Sequence, residues 1–253
     1  SLTCIETLDL DYATTNWTSD NENIDAGVTF SVICGSANQD EWYVATTGSD
    51  GGGSGTQESP FATIQTGINA SGDGNTVHVA AGTYVENINF NGKNISLISE
   101  SGSEATIIDC EGTERGITFW SGEDSTSILD GFTITNGNRS EGGGIYIESS
   151  SPTIRNCIIT NCSAVDGGGI YCNLGASPII DNCTFTGNTR SGLCCDNSNP
   201  IITNSNFTGN SALIYFNDTN IEVYNDGTTT ISEYEISPRE ELKYRILFLP
   251  DNE

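Results

Sequence analysis

The sequence predicts an all-β chain wound as a parallel β-helix solenoid of about seven coils, with a short helix capping its N-terminal end. Three observations carry that prediction. A segment repeats: "EGGGIYIESSSPTIRNCIITNC" at 141–162 returns as "DGGGIYCNLGASPIIDNCTFTGN" at 166–188 and, eroded, as "SGLCCDNSNPIITNSNFTGN" at 191–210. Gly144, Gly169 and Gly192 are spaced by 25 and 23 residues, and Pro152, Pro178 and Pro200 by 26 and 22. A period of this length, built of short pieces, marks a solenoid. Second, apolar residues alternate within pieces of three to five residues bounded by Gly, Asn, Ser or Pro, as at Ile145 and Ile147, then Ile154, Ile158 or Ile159, and Phe185. Third, hydrophobic residues make up only 35% of the chain against 29 glycines, which suits a thin continuous core with many turns. The leucine ladder of leucine-rich repeats is missing.

In chain order, residues 1–41 hold two candidate strands, with Val28, Phe30, Val32 and Cys34 alternating, and form a cap or a strand donated to another subunit. Cys4 and Cys34 are candidates to staple this segment. Residues 42–74 form the cap of the solenoid. There Ser59 and Pro60 suit the N-cap and first turn of a helix, and Phe61, Ile64 and Ile68 fall on one face. Residues 75–226 carry the coils, read at 75–90, 94–112, 116–137, the three repeats and 213–226. Residues 227–253 end in a strand-like run, with Leu242, Tyr244, Ile246 and Phe248 on one side, and cap the last coil or pair with another chain.

Thirty-four acidic residues against eight basic ones give a net charge of −26. Nucleic acid, anionic membranes and anionic polysaccharides are repelled unless a local Arg cluster or bound cation intervenes. A chain that begins at Ser1 and holds no Met is expected to be a mature form after signal removal, or a fragment. No apolar run is long enough to span a bilayer. Nine cysteines agree with an oxidising, extracellular or cell-surface location.

Aligning the coils on their prolines and Asn-Cys pairs puts Asp109, Asp130, Arg155, Asp181 and Thr203 in one outward column. Two readings follow. Asp109 and Asp130 form a calcium site or acid/base pair with Arg155 binding substrate; or Arg155 is sandwiched structurally between Asp130 and Asp181, the reading favoured here. A second column, Glu141, Asp166 and Ser191, reads as solvated charge. The loop "GSDGGGSG" at 48–55 lacks the Lys of a phosphate-binding loop. His78, the sole histidine, sits in an alternating strand and reads as structural. Cys157 stacks on Cys183 and Cys172 on Cys195, as disulfides or as thiols; no zinc ligand set with a histidine appears. Glycan acceptors would be Asn16, Asn69, Asn94, Asn138, Asn161, Asn182, Asn206 and Asn217. Trp42, Trp120, Tyr146 and Tyr171 are candidates to stack on sugar, the tyrosines as exposed side chains.

"GGGIY" followed by "FTGN" resembles the GGxI and FxxN repeats of polymorphic outer-membrane proteins. Residues 42–90, "WYVATTGSDGGGSGTQESPFATIQTGINASGDGNTVHVAAGTYVENINF", look like the cap of pectate-lyase-like right-handed β-helix proteins. The resemblance covers about 42–225 and implies a right-handed helix plugged by a short strand and helix. Lyases of that kind use a Lys or Arg base beside calcium held by acidic side chains. Here only Lys93, Lys243, Arg115, Arg139, Arg155, Arg190, Arg239 and Arg245 are available, mostly in turns or the tail. The Asn-Thr-Asp, Asp-Asp, Gly-His-Gly and Arg-Ile-Lys motifs of polygalacturonase-like hydrolases do not occur.

The reading therefore leans away from catalysis, toward a secreted structural or adhesive surface protein, such as the subunit of a filament or sheath that self-associates through its terminal strands. A polysaccharide lyase or hydrolase, and a non-catalytic carbohydrate-binding β-helix, are the alternatives. No cofactor other than calcium is implied.

Overall fold

The structure is a computed structural model. It describes residues 39–211 throughout and, outside them, the strands Cys4–Glu6, Thr29–Ser31, Ile214–Phe216, Glu222–Asn225, Thr230–Ile231 and Arg245–Phe248. Three parallel sheets dominate. The first stacks Glu41–Val44, Thr76–Val79, Ser96–Ser99, Ile128–Asp130, Thr153–Arg155, Ile179–Asp181 and Ile201–Thr203. The second stacks Gly82–Val85, Thr106–Asp109, Thr133–Thr135, Ile158–Thr160, Thr184–Thr186, Asn206–Thr208 and Thr230–Ile231. The third stacks Ile88–Asn89, Ile117–Phe119, Ile145–Glu148, Ile170–Asn173, Leu193–Cys195 and Ile214–Phe216. Complete coils, with a strand in all three sheets, thus number six among the described strands rather than seven. A small flap, Asn138–Glu141 paired with Ser163–Asp166, stands between the second and third sheets.

Alternation sends one side of each strand into the bore. Val77, Leu97, Leu129, Ile154, Ile180 and Ile202 line it from the first sheet, all fully buried. Ile108, Ile134, Ile159, Phe185 and Phe207 do so from the second, the last two rings stacked 4.4 Å apart. Burying each such side chain contributes about 1.5–3 kcal/mol, so the thin core is sustained by repetition.

The recurrent Asn-Cys pair has a clear cause. Asn156, Asn182 and Asn204 turn the corner between the first and second sheets with φ of 55°, 51° and 50°, a left-handed conformation that Asn tolerates better than most residues. The residue behind then points inward, and Cys157 and Cys183 are buried there. The triple glycines answer a different demand. A Cβ on Gly144 would lie 2.6 Å from the Gly169 carbonyl of the next coil, so successive backbones can nest only without it.

The cap helix is present but starts later than expected, at Ile64–Ala70 with Thr63 as N-cap. Ser59 is held in a tight bridge with Thr56, and Phe61 runs extended, its N–H donating to the Tyr43 carbonyl and its carbonyl accepting from Ala45. Neither conformation permits a helix at Ser59–Pro60. Phe61, Ile64 and Ile68 are nonetheless all buried against the first coil, as their spacing predicts. Lys93 closes the other end, Nζ donating to the carbonyls of Ile68, Asn69 and Ser71 at 2.7–2.8 Å. The glycine-rich loop supplies Asp50, whose carboxylate accepts from the N–H groups of Ala62 and Thr63 and from the Thr63 hydroxyl.

The flanking strands pair within the chain. Phe30 is in register with Ile5, and Ile246 and Phe248 with Val223 and Asn225, each in a two-stranded parallel sheet. Val28, Val32, Leu242, Tyr244, Asn16, Asn217 and Cys34, the expected partner of Cys4, lie outside the described residues.

Candidate functional site

The expected outward column on the first sheet exists with one change of membership. Its register runs Tyr43, His78, Ile98, Asp130, Arg155, Asp181 and Thr203. Asp109 is not in it. That residue ends a strand of the second sheet, in register with Val85 and Thr135, and its Oδ1 accepts from Asn136 and from the Glu111 N–H. The two carboxylates proposed as a calcium or acid/base pair therefore stand on different sheets. Among the described residues no group of three or more His, Cys, Asp or Glu side chains is arranged to hold a metal ion.

Arg155 leans one way only. Its Nε donates to Asp130 Oδ2 at 2.7 Å, while Asp130 Oδ1 accepts from Asn156. Asp181 instead accepts from Thr203 and Asn204, both at 2.7 Å. Arg155 is thus paired rather than sandwiched, and the column's side chains join in two pairs, Asp130 with Arg155 and Asp181 with Thr203. His78 is equally committed: it contacts Glu41 and stacks on Tyr43 with centroids 4.9 Å apart. Glu141 and Asp166 are register partners on the flap, and Ser191 is buried beyond them.

A richer constellation lies on the outer face of the third sheet. Tyr146 pairs with Tyr171 and Glu148 with Asn173; Tyr171 pairs in turn with Cys194, and Asp196 follows, its N–H donating to Cys172. One coil earlier Thr118 pairs with Tyr146, and Trp120 comes two residues later. Two columns result: Thr118, Tyr146, Tyr171 and Cys194; and Trp120, Glu148, Asn173 and Asp196. The tyrosine rings stack 5.9 Å apart, and the Arg115 guanidinium sits 4.0 Å over Tyr146 while its Nε donates to the Glu141 carbonyl. Consequently Tyr146 and Tyr171 are 5% and 7% exposed, buried rather than open as expected. Trp42 is buried too, its indole N–H donating to Asn75. Only Trp120 of the four stacking candidates is open, at 49%.

The buried tyrosines position the polar column. Tyr146 donates its phenol to Glu148 and accepts from Asn173 Nδ2, while the Tyr171 phenol reaches Asp196 at 3.4 Å. Desolvation, and then the neighbouring carboxylates, push both phenols above their ordinary pKa, so both remain donors at any physiological pH. Asn173 Oδ1 is buried without a hydrogen-bond partner, an acceptor left over at the centre of the column. An exposed indole face beside fixed carboxylates and an amide suits a ligand with apolar ring faces and many hydroxyls. Sequence reasoning missed Glu148, Asn173 and Asp196, although stacking "GGGIYIE" on "GGGIYCN" and "SGLCCD" would have aligned them.

In this structure Cys110, Cys157, Cys162, Cys172, Cys183, Cys194 and Cys195 carry free thiols. Cys157 donates to the carbonyls of Leu129 and Arg155, Cys183 to those of Ile154 and Asp181, and Cys162 to those of Ile134 and Thr160. Both expected stacks are present in thiol form. Of the candidate glycan acceptors, Asn69, Asn138, Asn161 and Asn182 are exposed, whereas Asn94 and Asn206 are partly buried.

The family model described as "Right handed beta helix region" matches residues 66–237. The chain belongs to that family. This β-helix is similar in structure to the pectate lyase Pel9A, at 13% identity over 78% of this chain and 73% of that one, TM-score 0.49. It is also similar to a pectin methylesterase solved with a hexasaccharide (14% identity, 75% and 72% covered, TM-score 0.42). The pectin methylesterase of Aspergillus niger gives 13% identity, 78% and 71% covered, and TM-score 0.42. No curated protein matches the sequence. None of these likenesses transfers a residue's role to the β-helix.

Proposed function

We propose that this β-helix is a surface-displayed, adhesive carbohydrate-binding protein that engages neutral glycans through the outer face of its third sheet. The observation that carries the reading is the open indole of Trp120 at the head of a polar column that continues through Glu148, Asn173 and Asp196. Charge narrows the ligand. A net charge of −26 disfavours polyanions, and Lys93, Arg115, Arg139 and Arg155 are each engaged within the chain. Export to the cell exterior, expected from the cysteine content, is where such a ligand would be met.

Affinity electrophoresis through gels containing neutral polysaccharides, with polygalacturonate as the anionic comparison, tests this. Retardation by a neutral glycan and about tenfold weaker binding by Trp120→Ala, ~1.4 kcal/mol, is the expected outcome. Retardation by polygalacturonate alone, or a Trp120→Ala variant that binds like the parent, would overturn the reading.

Self-assembly is the second reading, favoured by the two flanking sheets of two strands each. A two-stranded sheet is marginal in water, and a strand from another copy would complete it. Light scattering that reports only monomers at high concentration would remove this reading.

A further inference from the structure

We propose that Cys172 and Cys195 form a disulfide staple between neighbouring coils of the third sheet, closed during folding by exchange with a low-molecular-weight disulfide. The two residues are direct register partners on adjacent parallel strands, and both are fully buried in the bore. Adjacent strands lie about 4.8 Å apart, inside the roughly 4.4–6.8 Å Cα separation that a disulfide spans.

Cys157 and Cys183 also meet thiol to thiol, but both carry further bonds. Cys157, Cys162 and Cys183 each donate to main-chain carbonyls, so bridging Cys157 to Cys183 would forfeit those bonds. Cys195 meets the thiol of Cys172. Cys194 faces the opposite side of the sheet, clustered with Tyr146 and Tyr171. The staple would lie directly behind Tyr171, Asn173, Cys194 and Asp196, joining the two strands that present half of the candidate binding face.

The chemistry balances without a metal. One cysteine thiolate attacks oxidised glutathione, forming a mixed disulfide and releasing one glutathione thiolate. The second thiolate attacks the protein-side sulfur of that mixed disulfide, closing the Cys172–Cys195 bond and releasing the second glutathione. Two electrons pass from the cysteine pair to the glutathione disulfide, and the two cysteine protons pass through solvent to the released thiolates. Burial raises the Cys195 thiol well above its ordinary pKa and shuts out the oxidant once the bore is formed. Closure therefore belongs to folding, and a bore formed with the pair reduced stays reduced.

The test refolds the full-length chain from reductant and denaturant in a mixture of reduced and oxidised glutathione, followed by alkylation and peptide mapping. The expected product links Cys172 to Cys195, loses the mass of two hydrogens, and leaves Cys157 and Cys183 alkylated after unfolding. Its urea midpoint lies above that of the same protein treated with dithiothreitol. Cys195→Ser, with Cys172→Ala as a second variant should the first fail to fold, abolishes both the link and the midpoint shift. Full alkylation of Cys172 and Cys195, a Cys194–Cys195 bridge, or a Cys157–Cys183 bridge in their place would overturn the assignment. Linkage of Cys172 to Cys195 when oxidised glutathione is added to the already folded, reduced protein would overturn closure during folding.

Discussion

Asn188 shows how one side chain can join three coils. Its Oδ1 accepts from the Cys162 N–H at 3.0 Å and its Nδ2 donates to the Ile159 carbonyl at 2.9 Å, while its own N–H donates to Asn210 Oδ1. Asn210 repeats the pattern on the Phe185 carbonyl, and Cys162 occupies the same place one coil earlier with a weaker sulfur donor toward Ile134. Replacing Asn188 by Ala leaves a buried N–H and a buried carbonyl unpaired. The expected loss is about 1–3 kcal/mol, read from urea unfolding. Cys162→Asn extends the amide ladder and is expected to gain a few tenths to about 1 kcal/mol in the same experiment. Residue identity was legible here only in part: aligning the repeats stacks Asn188 on Cys162, but the carbonyl each serves belongs to another coil.

At the scale of elements, the cap helix depends on groups brought from elsewhere. Desolvation opposes the Asp50 charge, but hydrogen bonds from Thr63 and Ala62 outweigh it, and its pKa falls below the ordinary 3.8. A lowered carboxylate pKa contributes stability that is complete above the unfolded-state value and is lost as pH falls through the folded one. Asp50→Asn should therefore destabilise the protein at pH 7, by about 0.5–1.5 kcal/mol, the net worth of a hydrogen bond. The gap to the parent should narrow as pH drops below 3.8, which urea titrations at a series of pH values would show. In the repeat, Gly144→Ala would drive a methyl against the Gly169 carbonyl and the Ile159 side chain, 2.6 and 2.8 Å away. A cost of about 1–3 kcal/mol is expected, measurable as a lowered midpoint. Elements also show where reading by pattern failed. "Ile107-Ile108-Asp109" has the same appearance as "Ile179-Ile180-Asp181", yet the first belongs to the second sheet and the second to the first. In that coil the corner between the two sheets runs over residues 100–105, longer than in later coils, so a local match counted from sequence lands one strand too far along.

For the whole molecule, the outstanding quantity is a charge of −26 spread over a slender wall. Self-repulsion among so many carboxylates opposes compactness, and added salt screens it, the Debye length falling from about 10 Å at 0.1 M to about 3 Å at 1 M. The melting temperature followed by circular dichroism should accordingly rise between low salt and 0.5 M sodium chloride. A flat or falling trend would mean that the inter-coil ladders, such as Arg155 with Asp130, contribute more than the net repulsion costs.

What the sequence determined by itself is the architecture: a period near 25 residues, strands too short to stand alone, and glycines and asparagines at each corner leave stacking as the way to bury the isoleucines. Local pattern suffices there because every coil faces the same physical problem. What only the tertiary structure decided is which side chains meet. Register between coils of unequal length placed Asp109 away from Asp130, drew Tyr146 beneath Arg115 with Tyr171 stacked on it, and set Trp120 in line with Glu148, Asn173 and Asp196. Those meetings depend on corner lengths and on what a flap covers, quantities that a strand's own alternation does not encode.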